Sequence, residues 1–246
     1  MLEISAATYN IHKGFSQFNR RFVLHELRER LRELDVDIVF LQEVRGAHAR
    51  HVGGVAQQAQ YEFLAQEIWP HFAYGKNAVY EAGHHGNAIL SRFPILPWDN
   101  LDISAHRFEN RGLLCCELEL PGAKGALYCL CVHLGLFSRG RKFQMRTLVD
   151  YIRRNIPEQA PLIIAGDFND WTNRARYLLA HELGLHEVFE SGHGALARSF
   201  PVGFPMLRLD RIYIRGLSIR HAVQHDLYPW NRISDHAALS AYLNVP

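Results

Sequence analysis

Chemically capable residues recur in this chain where an apolar run stops. Asn10 follows Ala6-Ala7-Thr8-Tyr9, Gln42 and Glu43 follow Ile38-Val39-Phe40-Leu41, and His133 follows Leu130-Cys131-Val132. Asp167, Asn169 and Asp170 follow the run from Leu162 to Gly166. Ser234-Asp235-His236 stands just before Ala237-Ala238-Leu239, and Asp210 opens Arg211-Ile212-Tyr213-Ile214. Carboxylates and asparagines with no cysteine ligand beside them suit a hard cation such as Mg2+ or Mn2+. Each residue also has an ordinary reading. Asn or Asp after a strand is commonly a turn residue or a helix cap, and an Asp-His pair is commonly a surface coincidence. Asp210 resists the ordinary reading, because a carboxylate inside an apolar strand is costly unless paired. His236 is a natural partner.

These residues need strands to carry them, and the pattern supplies strands. Leu2 to Tyr9, Val36 to Leu41, Leu162 to Ala165, Leu209 to Ile214, Ser218 to Val223 and Ala237 to Leu243 read as strands. Residues 112–120 and 125–133 read as a hairpin across Pro121-Gly122-Ala123-Lys124-Gly125. Leu24, Leu27, Leu31 and Leu34, spaced at helical intervals among Glu and Arg, predict an amphipathic helix over 22–34. Further helices are expected over about 56–68 and over 141–155. Hairpins mixed with strand–helix–strand units imply mixed sheets covered by helices. In layered α/β proteins the strand ends along one edge build the site.

The 246 residues are 48% hydrophobic and 21% charged, which excludes a disordered or fibrous chain. They are expected to form a single domain over 1–246. No apolar run is long enough for a transmembrane segment. The start carries neither a basic region nor an apolar stretch, so a cytoplasmic protein, monomeric in solution, is expected. The net charge of +2 is too small to argue for nucleic acid by bulk attraction, although Arg outnumbers Lys 23 to 4. Cys115, Cys116, Cys129 and Cys131 lie in strand-like runs without zinc-type spacing and read as reduced core thiols. Cys129, Cys131 and His133 share one strand face, but packing explains that row better than a metal does.

The blocks Thr8-Tyr9-Asn10-Ile11, Leu41-Gln42-Glu43-Val44, Gly86-Asn87-Ala88-Ile89-Leu90, Val132-His133-Leu134, Gly166-Asp167-Phe168-Asn169, Leu209-Asp210-Arg211-Ile212 and Ser234-Asp235-His236 occur in one order across nearly the whole chain. In them the sequence resembles the endonuclease/exonuclease/phosphatase superfamily. The run Asn10-Ile11-His12-Lys13-Gly14 and the stretch Gly83 to Asn87 are similar to a small bacterial subgroup. The resemblance implies a four-layer α/β sandwich, two mixed β-sheets face to face and flanked by helices. It also implies metal-dependent hydrolysis of a phosphate ester. On that basis Glu43 is the principal metal ligand, with Asn10 and Asp235 near the metal. Asp167 and Asn169 place water and phosphate, His236 held by Asp210 is the second catalytic centre, and His133 donates to a phosphate oxygen. Arg111 matches a position that faces the phosphate.

Substrate contacts are expected from the loops beside these blocks. His85 and Asn87 flank Gly86, where backbone approaches closely, and are candidate phosphate contacts. Trp230 and the apolar stretch Phe200 to Leu207 form a candidate wall for a base or an alkyl chain. Arg20, Arg21, Arg45, Arg139, Arg141, Lys142, Arg174 and Arg176 follow the matched blocks and could form a positive rim. His48 and His51 have a spacing that binds metal on a helix, although a solvated face explains it as well. The short chain and the Leu-Gln-Glu-Val block resemble lipid, inositol and nuclease branches, and they favour a small phosphodiester or phospholipid head group over duplex DNA. DNA or RNA remains the alternative substrate. A non-catalytic binding module on the same fold is the alternative of another class, and the intact acid and histidine set argues against it.

Overall fold

Period-two alternation of apolar residues writes both faces of the central strands, and this sets the layering. The computed structural model describes residues 2–16, 21–48, 59–80, 83–123 and 125–246. One sheet holds β1 (Leu2–Asn10), β2 (Ile38–His48), β3 (His71–Tyr80), β4 (Gly83–Ser91), β11 (Ser218–His225) and β12 (Ala238–Val245), in the order β11-β12-β1-β2-β4-β3. The other holds β5 (Ile95–Asp102), β6 (Gly112–Leu118), β7 (Leu127–His133), β8 (Leu162–Asp167), β9 (His186–Glu187) and β10 (Asp210–Arg215), in the order β5-β6-β7-β8-β10-β9. Each sheet is mixed. It has one parallel pair, β1 with β2 or β7 with β8, and antiparallel neighbours elsewhere.

A helix closes each parallel pair, as a parallel crossover requires. α1 (Leu24–Leu34) links β1 to β2, and α3 (Ser138–Asn155) links β7 to β8. α1 buries Leu24, Leu27 and Leu31 and ends where Asp35 turns left-handed at φ 50. α2 (Gln60–Ala65), α4 (Arg174–Leu183) and α5 (Val188–His193) complete the helical layers. Alternation then yields three cores. Ala6, Phe40 and Ile89 of the first sheet meet Cys129, Ile163 and Ile212 of the second between the sheets. Tyr9, Val39 and Leu41 point the other way, onto Leu24, Leu27 and Phe63. Leu130, Val132 and Ile164 point outward onto Met145, Leu148 and Leu179. The result is helix, sheet, sheet, helix: the expected four-layer sandwich. Among the described residues no helix is long and apolar enough to cross a membrane.

The elements differ from the sequence-based expectation in several places. The strand expected to stop at Leu41 runs on to His48, through a register shift between Leu41 and Val44. The helix expected over 56–68 is Gln60–Ala65, and residues 56–58 lie outside the described residues. β3, β4, β5, β9, α4 and α5 form where the pattern predicts no element. β5 is an edge strand whose residues are half-buried to exposed and which contains Pro97, so it lacks the alternation that marks a half-buried strand. The four cysteines are free and buried, and Cys129 and Cys131 pack between the sheets. Burial pushes the Cys131 thiol up to about 12, and Gln42 Nε2 donates to its Sγ at 3.3 Å.

Phe40 is fully buried between the sheets, whereas Val79 is 70% exposed on β3. Phe40→Ala is expected to cost about 3–5 kcal/mol in denaturant unfolding, and Val79→Ala less than about 0.5 kcal/mol. Equal losses at the two positions would contradict this account of the core.

Candidate active site

Register assembles the centre of the site. His133 lies opposite Asp167 in the parallel β7–β8 pair, and Asp210 lies opposite Asp167 in the antiparallel β8–β10 pair. These three residues therefore form one row along the edge of the second sheet. The residue before Asp167 must be glycine. Gly166 has φ +147, and a Cβ there would stand 2.0 Å from the Val132 carbonyl oxygen. Phe168 turns outward into the helix-covered core, so Asp167 points inward. Asn169 then closes a tight turn at φ 47; its N–H donates to Asp167 Oδ1 at 2.9 Å and its Nδ2 to the Leu134 carbonyl at 2.9 Å.

The first sheet reaches the same place from the other side. Asn10, the last residue of β1, donates from Nδ2 to Asp167 Oδ2 at 3.2 Å, across the gap between the sheets. Its backbone carbonyl accepts from Ser234 Oγ at 2.7 Å, which fixes the Ser-Asp-His segment beside it. His236 follows, with Nδ1 2.7 Å from Asp210 Oδ2 and Nε2 3.8 Å from Asp167 Oδ2. Asp167, Asp210 and His236 present ligand atoms within 4.8 Å of one another, and all three residues are buried. His133 Nε2 is 3.5 Å from Asp167 Oδ2.

Burial decides the charge states here. Removal from water, with Asp210 close by, raises the Asp167 carboxyl to about 6. Burial alone would lower the His236 imidazole, but Asp210 outweighs it by charge and hydrogen bond, and the pKa rises to about 10. His133 goes the other way. Burial, reinforced by Arg111, His236, His85 and Lys13, holds it well below its ordinary value. Asp167 therefore sits between a charged imidazolium and a neutral imidazole at neutral pH. Such a carboxylate can accept a proton, and such an imidazolium can stabilise a developing negative charge.

Glu43 arrives by a different device. One extra residue of β2 is accommodated between Leu41 and Val44 opposite β4, and Glu43 there has φ 57. Val44 consequently returns to the outer core, and Glu43 stands out of the alternation as a bulge residue. Its carboxylate faces Lys13 Nζ at 3.7 Å, and Asp235 Oδ1 faces His12 Nδ1 at 3.2 Å. Asn10 Oδ1 accepts from the His12 N–H at 3.1 Å. Glu43, Asn10 and Asp235, the expected ligands, each offer oxygen donors of the kind a hard divalent ion takes. In the other cluster Asp210 Oδ1 is buried without a hydrogen-bond partner. His236 Nδ1 there is already engaged by Asp210 Oδ2.

The remaining expected residues divide. Arg111 Nε is buried without a hydrogen-bond partner, and its charge acts on both His85 and His133. His85 lies opposite Arg45 in register, and burial followed by Lys13 lowers its pKa. Asn87 is buried, and its Nδ2 donates to the Gly112 and Cys131 carbonyls of the second sheet at 3.0 and 3.2 Å. That amide ties the sheets together. Trp230 is not brought into the group. Its ring meets Tyr9 edge-on at 5.6 Å and packs on the outer core of the first sheet. Of the expected apolar wall, Phe200 does reach the site, with its ring 4.9 Å from that of His236. His48 ends a strand rather than lying on a helix, while His51 and Arg20 lie outside the described residues. The pattern of strand ends missed His12 and Lys13 as site neighbours. The Asn-Ile-His-Lys-Gly run was their signal, and both have left-handed backbones.

The chain belongs to the Endonuclease/Exonuclease/phosphatase family, whose sequence pattern matches residues 7–236. That family includes metal-dependent phosphoesterases and nucleases. The chain is 47% identical over 241 residues to the uncharacterised protein YbhP of Escherichia coli, covering 97% of this chain and 95% of that one. Its fold is similar to that of an endonuclease/exonuclease/phosphatase from Beutenbergia cavernae, at 18% identity and a TM-score of 0.83, covering 99% of this chain and 72% of that one. It is also similar to D. rerio TDP2 complexed with single strand DNA product, at 20% identity and a TM-score of 0.73, covering 99% of each chain.

A raised pKa for His236 has a definite sign. The charged form is favoured by folding, so the pair with Asp210 stabilises the fold below pH 6.5 and loses that contribution as pH rises toward about 10. In protein held in EDTA, NMR titration of the His236 ring is expected to give an apparent pKa near 10. Asp210→Asn should bring it to or below the ordinary histidine value. A His236 that titrates near 6.5 in the parent would contradict the charge assignment.

Proposed function

We propose that this protein hydrolyses phosphodiesters with the help of a divalent cation, Mg2+ or Mn2+, held by Glu43, Asn10 and Asp235. The observation that carries the reading is the buried Asp210–His236 pair set against Asp167 and anchored across the sheets by Asn10. When bound, the cation supplies charge neutralisation on the phosphate oxygens. Asp167 accepts the proton of the attacking water, since its pKa of about 6 leaves it ionised near neutral pH yet basic enough to take one. Asn10 and the Asn169 N–H orient that carboxylate. His236, kept charged by Asp210, offsets the negative charge that grows in the transition state. Neutral His133 donates one N–H to a phosphate oxygen, and Arg111 directs its unpartnered Nε toward the same anion. Asn169 and Asn87 hold the surrounding backbone, and His85 lines the approach.

A bare diester tests this most directly. Hydrolysis of bis-p-nitrophenyl phosphate is expected to require added Mg2+ or Mn2+ and to stop in EDTA. Glu43→Gln, Asp167→Asn and His236→Ala should each lower kcat by about 100-fold or more. The acidic limb of the pH–rate profile should fall at or below pH 6, because a bound cation can only ease ionisation of Asp167. Parent activity that survives in all three variants would overturn the site. Failure to cleave this diester, thymidine phosphodiesters, plasmid DNA, RNA or phospholipids would favour a non-catalytic module.

A further inference from the structure

On the helix side of the second sheet, the N-terminal halves of α3 and α4 enclose a cavity of about 290 Å³. Leu134, Met145 and Leu178 give it an apolar floor. Arg141, Lys142, Arg146 and Arg174 give it four cations, against the single carboxylate of Asp170. That carboxylate is engaged locally, accepting from Thr172 Oγ1 at 2.7 Å. Lys142, Arg146 and Arg174 are exposed.

The deepest cation is built in. Arg141 is 4% exposed, and its Nη1 donates to the Gly135 carbonyl at 3.1 Å and to the Leu136 carbonyl. Its guanidinium lies 4.5 Å from the centre of the Trp171 ring, and its Nη2 is buried with no hydrogen-bond partner. The helix starts add to this field. Neither α3 nor α4 has a side-chain cap or an acidic residue in its first turn, so their N-terminal N–H groups add to the positive field. Trp171 is itself 46% exposed.

The cavity shares a wall with the candidate active site. Leu134 follows His133 and accepts from Asn169 Nδ2, and Asp170 follows Asn169. An anion held here therefore neighbours the phosphate under attack. We propose that the cavity is a second phosphate subsite that takes a nucleotide unit flanking the cleaved bond of a single strand. Its phosphate is held by Arg141, Lys142 and Arg174, and its base lies against Trp171. The proposal rests on the phosphodiesterase reading above and narrows its substrate. Charge, an aromatic face and a concave floor together suit a nucleotide.

Binding can be measured without catalysis. Fluorescein-labelled hexathymidylate in EDTA is the probe, and anisotropy is the readout. Arg174→Glu is expected to weaken binding by about five-fold or more, and Trp171→Ala by about three-fold or more. Arg154→Glu makes the same charge change in the last turn of α3, away from the cavity, and should alter affinity by less than about two-fold. Arg174→Glu should also lower kcat/KM for hexathymidylate relative to that for bis-p-nitrophenyl phosphate. No binding by the parent, or equal binding by all variants, would overturn the subsite. So would loss of affinity for phosphatidylglycerol vesicles in Arg174→Glu with none for the oligonucleotide. Cavity-dependent binding by a protein that cleaves no diester would keep the subsite and remove the catalytic reading. Diester cleavage with no oligonucleotide binding would do the reverse.

Discussion

Two carboxylates buried side by side, Asp167 and Asp210, impose the condition that the rest of the molecule meets. An ionised carboxylate in an apolar interior is tolerated only when charge or hydrogen bonds compensate it. Asp210 has His236 at 2.7 Å, and its own N–H is held by Ser199 Oγ at 3.0 Å. Asp167 has the Asn10 amide, the Asn169 N–H and the more distant His236 ring. Those partners come from both sheets and from the two ends of the chain. Compensation of two charges thus joins the first strand, the last loop and the second sheet at one edge. It is incomplete for Asp167, whose proton affinity is raised, and incomplete compensation is what leaves a carboxylate chemically useful.

The backbone around this pair is held in conformations that side chains ordinarily avoid. His12, Lys13, Glu43 and Asn169 are left-handed, and each such residue costs on the order of 1–3 kcal/mol. All four neighbour the acid and histidine group, while the sheets that carry it are regular for most of their length. The bulge at Glu43 needs β4 on one side and β1 on the other to stay in place. Rigid pairing therefore supports local strain, and the bulge takes Glu43 out of the strict alternation of its strand.

Electrostatics follows the same local logic. A chain with net charge +2 has no strong overall field. Four cations gathered at the starts of α3 and α4, and Lys13, Arg45 and Arg111 around His85, produce positive regions on both flanks of the buried acids. Many acidic groups are instead spent on exposed pairs such as Arg30–Glu33 and Arg21–Glu26, which contribute little to stability.

Alternation and helical spacing in the sequence by themselves determined mixed sheets covered by helices, because they state which face of each element must leave water; the four-layer order came with the family resemblance of the matched blocks. The positions of Asn10, His133, Asp167, Asp210 and His236 at strand ends could be read from the same pattern, as could the pairing of Asp210 with His236. Tertiary structure decided the rest. Trp230, an aromatic near Asp235 in the chain, packs on the outer core because Tyr9 faces that way. Glu43 leaves the alternation because β4 pairs across one residue fewer. Lys13 and His12 face Glu43 and Asp235, and Arg141 meets Trp171, only because segments remote in sequence are folded against each other. Periodicity records the burial of one residue's face. It carries no information on which remote residue shares that face, and the chemistry of the site is made of those pairings.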